Sequence, residues 1–265
     1  MTLRIVTFSN AAYIPVASNW LSRLARLGLD DLVTIVSLDR ATRDAFPADR
    51  VLLRPHGADP TNLTALWSHR LSILRELLAD GQSIIHSDAD AIWLRNPLPD
   101  IDACNSPIVF TQGTFWPRDV HARRGVVMCC GLFYLRSEPE VLRFLDSVSK
   151  RMEADKDDQI AINRVVDACF KPWQIVEPYE IPFRDTHFVA SRKPMRTDAS
   201  DNTGLDLSIS ILPHHAYPRL VDAVSDEIVI AHPLSGKTLE EKESCLDRLG
   251  LWNGALRRRK TGPRE

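Results

Sequence analysis

The sequence predicts an α/β fold, in which apolar strands alternate with amphipathic helices along 265 residues. Residues 3–8, 32–38 and 84–85 are short, β-branched apolar runs of the kind buried inside a sheet. Between them, residues 20–29 and 63–78 repeat large apolar groups at helical spacing. The length suits one large domain, or a domain with a small appendage.

Bulk composition narrows the function classes. Hydrophobic residues make up 44% and charged residues 26%, ordinary values for a globular chain. Lys and Arg number 33 against 35 Asp and Glu, so no basic field argues for a nucleic-acid partner. The cysteines (Cys104, Cys129, Cys130, Cys169, Cys245) are odd in number and form no C-x-x-C pair. Neither a zinc ribbon nor a disulfide framework is expected, which favours a reducing compartment. The apolar run in residues 1–8 is too short for a signal peptide, and no stretch nears the ~18 apolar residues of a membrane span. The expected location is the cytoplasm.

In order, residues 3–8 form a first strand, and Ser9 and Asn10 the loop leaving it. Trp20, Leu21, Leu24 and Leu27 mark a helix closed by Gly28. A second strand ends at Asp39. Asn10 and Asp39, at two successive strand ends, could read a base edge and a ribose, or could simply serve their loops. Residues 50–60, with Pro55, Gly57 and Pro60, read as loop. Leu66, Leu71, Leu74, Leu77 and Leu78 then mark a helix that also carries Arg70.

The stretch from Ser83 to Pro97 organises the rest. Gly81 ends the preceding helix, Ile84 and Ile85 form a strand, and Asp88 and Asp90 follow where that strand should finish. Residues i and i+2 of an extended strand point the same way, so both carboxylates can face one crevice. Strand ends of open α/β sheets are where ligands usually bind. Two converging carboxylates repel and resist desolvation unless a cation lies between them. We therefore expect Asp88 and Asp90 to serve a divalent ion carrying a phosphorylated ligand; the alternative is a solvated turn. Ile92-Trp93-Leu94 followed by Arg95-Asn96-Pro97 returns the chain to the core, which favours a braced site.

Downstream, residues 99–105 read as loop, and residues 108–111 and 126–135 as strands, the second containing Cys129 and Gly131. Ser137-Glu138-Pro139-Glu140 is a helix start signal, with Pro in the first turn. A helix over 141–152 leads to a second helix start at which Asp158, Gln159 and Asn163 could face a polar ligand. Residues 193–204 are polar and read as a mobile loop that could act as a lid. A strand at 209–212 precedes His214 and His215, to which no role is assigned. The last strand, residues 227–231, delivers His232. Gly236, Lys237 and Lys242 follow.

The segment His86-Ser87-Asp88-Ala89-Asp90-Ala91-Ile92-Trp93-Leu94-Arg95-Asn96-Pro97 resembles the Asp-x-Asp segment of nucleotide-diphospho-sugar transferases related to glycosyltransferase family 77, with family 8 more distant. Asp158-Gln159 with Asn163 is similar to the family's Asp-Gln-x-x-x-Asn pattern. His232, Gly236, Lys237, Lys242, Leu246, Gly250 and Trp252 resemble its closing block. The motifs run in family order across residues 7–252.

The resemblance implies a GT-A (Rossmann-like) fold, a mixed, mostly parallel sheet flanked by helices, as one domain over residues 1–255. It implies a retaining glycosyltransferase that moves a sugar from a nucleotide-diphosphate donor, UDP-linked by expectation, to a glycan or other hydroxyl acceptor. Asp88, Asp90 and His232 would hold Mn²⁺ or Mg²⁺. Phe8, Ser9, Asn10, Asp39, Arg70, Asp88, Ala89, Gly131, Gly236 and Lys237 would contact the donor. Gln159 and Asp158 would stand near the transferred sugar as the catalytic pair. Lys242 matches the family's helix Lys but could face solvent. Cys129 departs from the family, which commonly has Asn there, and no residue stands out as a nucleophile, so covalent and front-face routes both stay open.

Residues 256–265 form a basic tail that could touch an anionic membrane weakly, at about 1 kcal/mol per charge, or remain solvated. The inner membrane face is thus a second expected location. Two other classes compete with the transferase. An Asp-x-Asp phosphatase would need the motif on an early strand with Gly-Thr or Val close behind. A non-catalytic nucleotide-sugar binder is left open by Cys129.

Overall fold

A computed structural model of the chain describes residues 2–57, 62–236 and 238–253. The first half contains β1 (Thr2–Ser9), α1 (Ile14–Arg26), β2 (Val33–Ser37), α2 (Arg40–Ala45), β3 (Val51–Leu53), α3 (Leu63–Ala79), β4 (Gln82–Ser87), β5 (Ile92–Trp93) and α4 (Leu98–Cys104). It continues with β6 (Ile108–Gln112), α5 (Arg118–Arg124), β7 (Met128–Leu135), α6 (Pro139–Asp155) and α7 (Asp158–Cys169). The remainder holds β8 (Pro178–Phe183), β9 (Thr186–Ser191), β10 (Met195–Asp198), β11 (Ser208–Leu212), β12 (Ile230–Ala231) and α8 (Leu239–Arg248).

Eight strands make one sheet in the order β10-β11-β6-β7-β4-β1-β2-β3. Strands β3, β2, β1 and β4 are mutually parallel, as are β6 and β11, whereas β7 runs antiparallel to both neighbours and β10 to β11. The α/β class and the mixed, mostly parallel sheet expected from the sequence are therefore present. In the β3-β2-β1-β4 half the chain leaves β1 toward β2 but returns to β4 on the other side of β1. Such a switch point opens a crevice at the carboxyl ends of the strands.

Both faces of the sheet are covered, which explains its uninterrupted apolar strands. Neighbouring residues enter opposite layers: Val6 and Ile84 pack with α3, α6 and α7 on one face, Ile5 and Ile85 with α1 and α4 on the other. Trp20 of α1 and Phe144 of α6 are fully buried, one in each layer. Helix starts follow the sequence signals. Asn10, Asp39, Asn62 and Asp157 accept hydrogen bonds from backbone N–H groups three residues on, and Thr238 forms a capping box with Glu241. Among the described residues no helix is long and apolar enough to cross a membrane.

Four expectations are corrected. Residues 50–60 are not all loop, since β3 (Val51–Leu53) lies within them as a short edge strand on β2. Residues 99–104 are not loop: α4 occupies them, with Pro99 and Asp100 in its first turn, residues that suit a helix start as well as a turn, and only Asn105 lies beyond it as the left-handed cap. Helix α1 begins at Ile14, earlier than the apolar spacing from Trp20 indicates, because Pro15 opens it. The polar stretch 193–204 contains β10, whose Met195 and Thr197 are buried while Arg196 and Asp198 face solvent. Its polarity is that of a half-exposed edge strand, not of a lid. The hairpin β8–β9 completes the fold beside it.

Candidate functional site

Strand β4 ends at Ser87, and the chain turns immediately. The Asp88 N–H donates to Gly131 O (2.7 Å) and the Ala91 N–H to Asp88 O (3.0 Å). Asp88 and Asp90 thus sit on a turn, which corrects the expectation that they occupy i and i+2 of an extended strand. The turn is braced from beneath: Ser87 Oγ accepts from the indoles of both Trp20 and Trp93, each at 3.1 Å. After it, β5 pairs antiparallel with β12, setting Trp93 opposite Ile230 and Ile92 opposite Ala231. Leu94 and Arg95 N–H groups add bonds to Val229 O (2.9 and 3.1 Å). That short ladder brings His232, the next residue, over the acidic turn.

His232 Nε2 lies 3.4 Å from Asp90 Oδ1 and 3.8 Å from Asp88 Oδ2. The three residues each offer a ligand atom, and these atoms lie within 4.8 Å of one another. Gly131 makes room for them: a Cβ there would come 2.0 Å from His232 Cε1 and 2.7 Å from Asp88 Oδ2. The glycine expected to contact the donor is therefore also required by the imidazole.

The outer carboxylate oxygens have their own partners. Lys242 forms an ion pair with Asp90 Oδ2, so this lysine faces the site rather than solvent. Arg70 pairs with Asp158 and lies 3.5 Å from Asp88 Oδ1, while His86 Nε2 is 3.2 Å from the same oxygen. Burial disfavours the ionised form of Asp88, but the His86 hydrogen bond and the nearby Arg70 outweigh it and hold the carboxyl at about 2. Burial likewise opposes ionisation of Asp90, yet His232 and Lys242 hold it well below the usual carboxylate range. Two ionised carboxylates and one imidazole nitrogen facing a common point suit Mn²⁺ or Mg²⁺ by donor type.

The other imidazole nitrogen is also engaged. Cys129 Sγ lies 3.8 Å from His232 Nδ1 and accepts from the Gly131 N–H (3.4 Å). Burial raises the Cys129 thiol, but Arg219 and His232 bring it down to about 7. Arg219 donates to His232 O (2.9 Å), fixing the backbone that carries the ring.

A cavity of about 260 Å³ joins Arg70, Asp88, Asp90, Gly131, Asp158, Gln159 and His232. Gln159 is held at both ends of its amide: Oε1 accepts from the Cys130 N–H (3.2 Å) and Nε2 donates to Trp116 O (2.9 Å). Asn163 binds Met128 through N–H (2.8 Å) and C=O (3.0 Å), tying α7 to β7; its role is to hold the wall.

Those of the remaining expected donor residues that the structure describes lie apart from this cavity's lining. Asn10 accepts from the Tyr13 N–H (3.3 Å), and Asp39 from the Ala11 and Thr42 N–H groups (2.7 and 2.8 Å), at the ends of neighbouring parallel strands. Ser9 Oγ donates to Asn10 O, Phe8 packs on the His86 ring at 5.8 Å between centroids, and Ala89 is buried in the turn. Gly236 lies against Glu241, whose Cδ would be 2.1 Å from a Cβ at that position. Lys237 and the basic tail lie outside the described residues. Sequence reasoning missed His86, Arg219, Trp116 and the inward turn of Lys242. Only Lys242 carried a local signal, one turn beyond the Thr238 cap.

The sequence model of the nucleotide-diphospho-sugar transferase family matches residues 33–234. The UDP-D-xylose:L-fucose alpha-1,3-D-xylosyltransferase MGP4 of Arabidopsis thaliana is 27% identical over 104 residues, covering 35% of this chain and 29% of that protein. The chain thus spans under a third of the length of that relative. Among solved structures, galactosyltransferase LgtC with donor and acceptor sugar analogs aligns with a TM-score of 0.46 at 16% identity, over 60% of this chain and 69% of that one. Mouse xyloside xylosyltransferase 1 aligns with a TM-score of 0.41 at 13% identity, over 63% and 82% respectively.

Proposed function

The chain belongs to the nucleotide-diphospho-sugar transferase family, and from that premise we propose that it is a retaining glycosyltransferase acting from a UDP-linked donor onto a hydroxyl of a glycan. The observation that carries this reading is the meeting of Asp88, Asp90 and His232 at one point. The UDP moiety is supported by the Arabidopsis relative, whose name specifies UDP-D-xylose.

Asp88, Asp90 and His232 would hold Mn²⁺ or Mg²⁺, hard cations matched to carboxylate and imidazole donors. Such an ion, when bound, stabilises negative charge on a departing nucleotide diphosphate. The chain's own groups do the rest. Lys242 and Arg70, on the outer oxygens of Asp90 and Asp88, keep both carboxylates ionised and correctly turned. Cys129, beside Nδ1, favours the ring orientation in which Nε2 faces the carboxylates. Gln159, pinned between Cys130 and Trp116, would orient the sugar with its remaining amide N–H and lone pair. Asp158 is paired with Arg70 and sets the charge of the wall opposite.

Incubation with a panel of nucleotide sugars and Mn²⁺ tests the reading. Release of UDP is expected. Release of inorganic phosphate instead would mean a phosphatase, and release of neither a nucleotide-sugar binder.

A further inference from the structure

Beside the site just described lies a second cleft of about 480 Å³, within the ~300–1,000 Å³ range of small-molecule sites. Trp116 lines both cavities, so a ligand in the second has one end within reach of the first. Its indole is half exposed (50%), large for an apolar ring with no structural duty on its outer face. Phe115 and Phe183, 5.7 Å apart between ring centroids, extend the aromatic wall.

The charged groups of this cleft share one sign. Arg118 and Arg184 line it, and no carboxylate does. Neither guanidinium is ion-paired among the described residues, whereas Asp119, next to Arg118, is taken by Arg123 and Arg164. Arg184 is carried on the β8–β9 turn, its Cζ 5.2 Å from the Phe183 ring. His121 edges onto Phe115 at 4.7 Å, and its buried Nε2 has no hydrogen-bond partner. Burial pushes the His121 ring toward its neutral form, so Nε2 can accept a hydroxyl proton or donate to an oxygen according to tautomer.

An aromatic platform with hydrogen-bonding groups at its edge suits the apolar face and hydroxyls of a sugar ring. Two unpaired guanidiniums suit a carboxylate or phosphate, which Arg binds bidentately. We propose that the Trp116 cleft is the acceptor site and that it selects an anionic saccharide, with Trp116 stacking on the ring and Arg118 and Arg184 reading its charge. This rests on the transferase reading for the word acceptor, but not for the binding of an acidic sugar.

The test is equilibrium binding of matched pairs, measured by ligand-observed NMR. One member of each pair bears galacturonate, glucuronate, sialate or a sugar phosphate; the other is its methyl ester or dephosphorylated form. At least one acidic member is expected to bind about tenfold or more tightly than its neutral partner, and the pair that does so tells carboxylate from phosphate. Arg118→Ala with Arg184→Ala should bring that pair to within about twofold, and Trp116→Ala should weaken both members. Neutral members binding as well as acidic ones, or no acidic member binding, would overturn the proposal. UDP release from the nucleotide-sugar panel with Mn²⁺ is followed in parallel, with the neutral and the acidic saccharides each offered as the acceptor hydroxyl. Acidic-sugar binding without UDP release leaves the cleft standing and removes the transferase; UDP release without acidic-sugar binding does the reverse.

Discussion

The Nε2 atom of His232 lies 3.4 Å from Oδ1 of Asp90, though the two residues are far apart in the chain. Two residues of β5 against two of β12 suffice to bring them together, because backbone ladders fix both register and facing. The site is thus as secure as that ladder and the Ser87 brace beneath it.

Asp90→Asn keeps the side-chain shape but removes the charge that holds His232 and Lys242. Turnover measured as UDP release should fall by about 10²–10⁴, as expected when a charge clamp on a developing anion is weakened. Unchanged turnover would remove Asp90 from the chemistry.

Gly131→Ala places a methyl group where the His232 ring stands, with 2.0 Å available to Cε1. The ring must move, at about 1–3 kcal/mol of overpacking. Mn²⁺ affinity, followed by the loss of the free-ion electron paramagnetic resonance signal, should drop while far-ultraviolet circular dichroism stays native. An undiminished affinity would show that the ring need not stand against Gly131.

Cys129 touches His232 on the side away from the carboxylates. Cys129→Ala should weaken Mn²⁺ binding about tenfold to a hundredfold, the usual range for the partner of a ligating histidine, and Cys129→Asn should restore most of it. Equal affinity in all three proteins would make the thiol a bystander.

His214 supplies a pH prediction away from the metal ligands. It is buried, accepts from the Arg219 N–H (3.2 Å), and burial with the charge of Arg219 lowers it to about 4. Because the folded value lies below the unfolded one, the unfolded chain binds the proton more readily. The stability this neutral ring contributes is full above pH ~6.5 and drains as pH falls toward the folded value, about 2 kcal/mol having gone by pH 5. Urea midpoints of the wild type and His214→Gln, compared at pH 7.5 and pH 5, should differ in slope accordingly. Parallel pH responses would contradict the assignment.

Much of this was legible in the chain. Asp88, Asp90 and His232 each follow an apolar strand, a local pattern that betrays position, and Asp158 and Gln159 stand at a helix start that their neighbours announce. What could not be read is what depends on distant partners. The position of Lys242 on its helix was legible, but its inward turn shows only when the acidic turn is set against it. Ser87 is one serine among many until two indoles converge on it. Polar composition alone hid the strand β10, since half of its side chains face water. Trp116 shows no periodicity at all; only its shared position between two cavities marks it.

The central claim is that Asp88, Asp90 and His232 together hold a divalent ion that the reaction needs. The most direct measurement is UDP release by chelator-treated protein as Mn²⁺ is returned, for the wild type and for His232→Ala. Restoration with saturation in the wild type, and little or none in the variant, is predicted; turnover indifferent to Mn²⁺, or equal restoration in the variant, would contradict it.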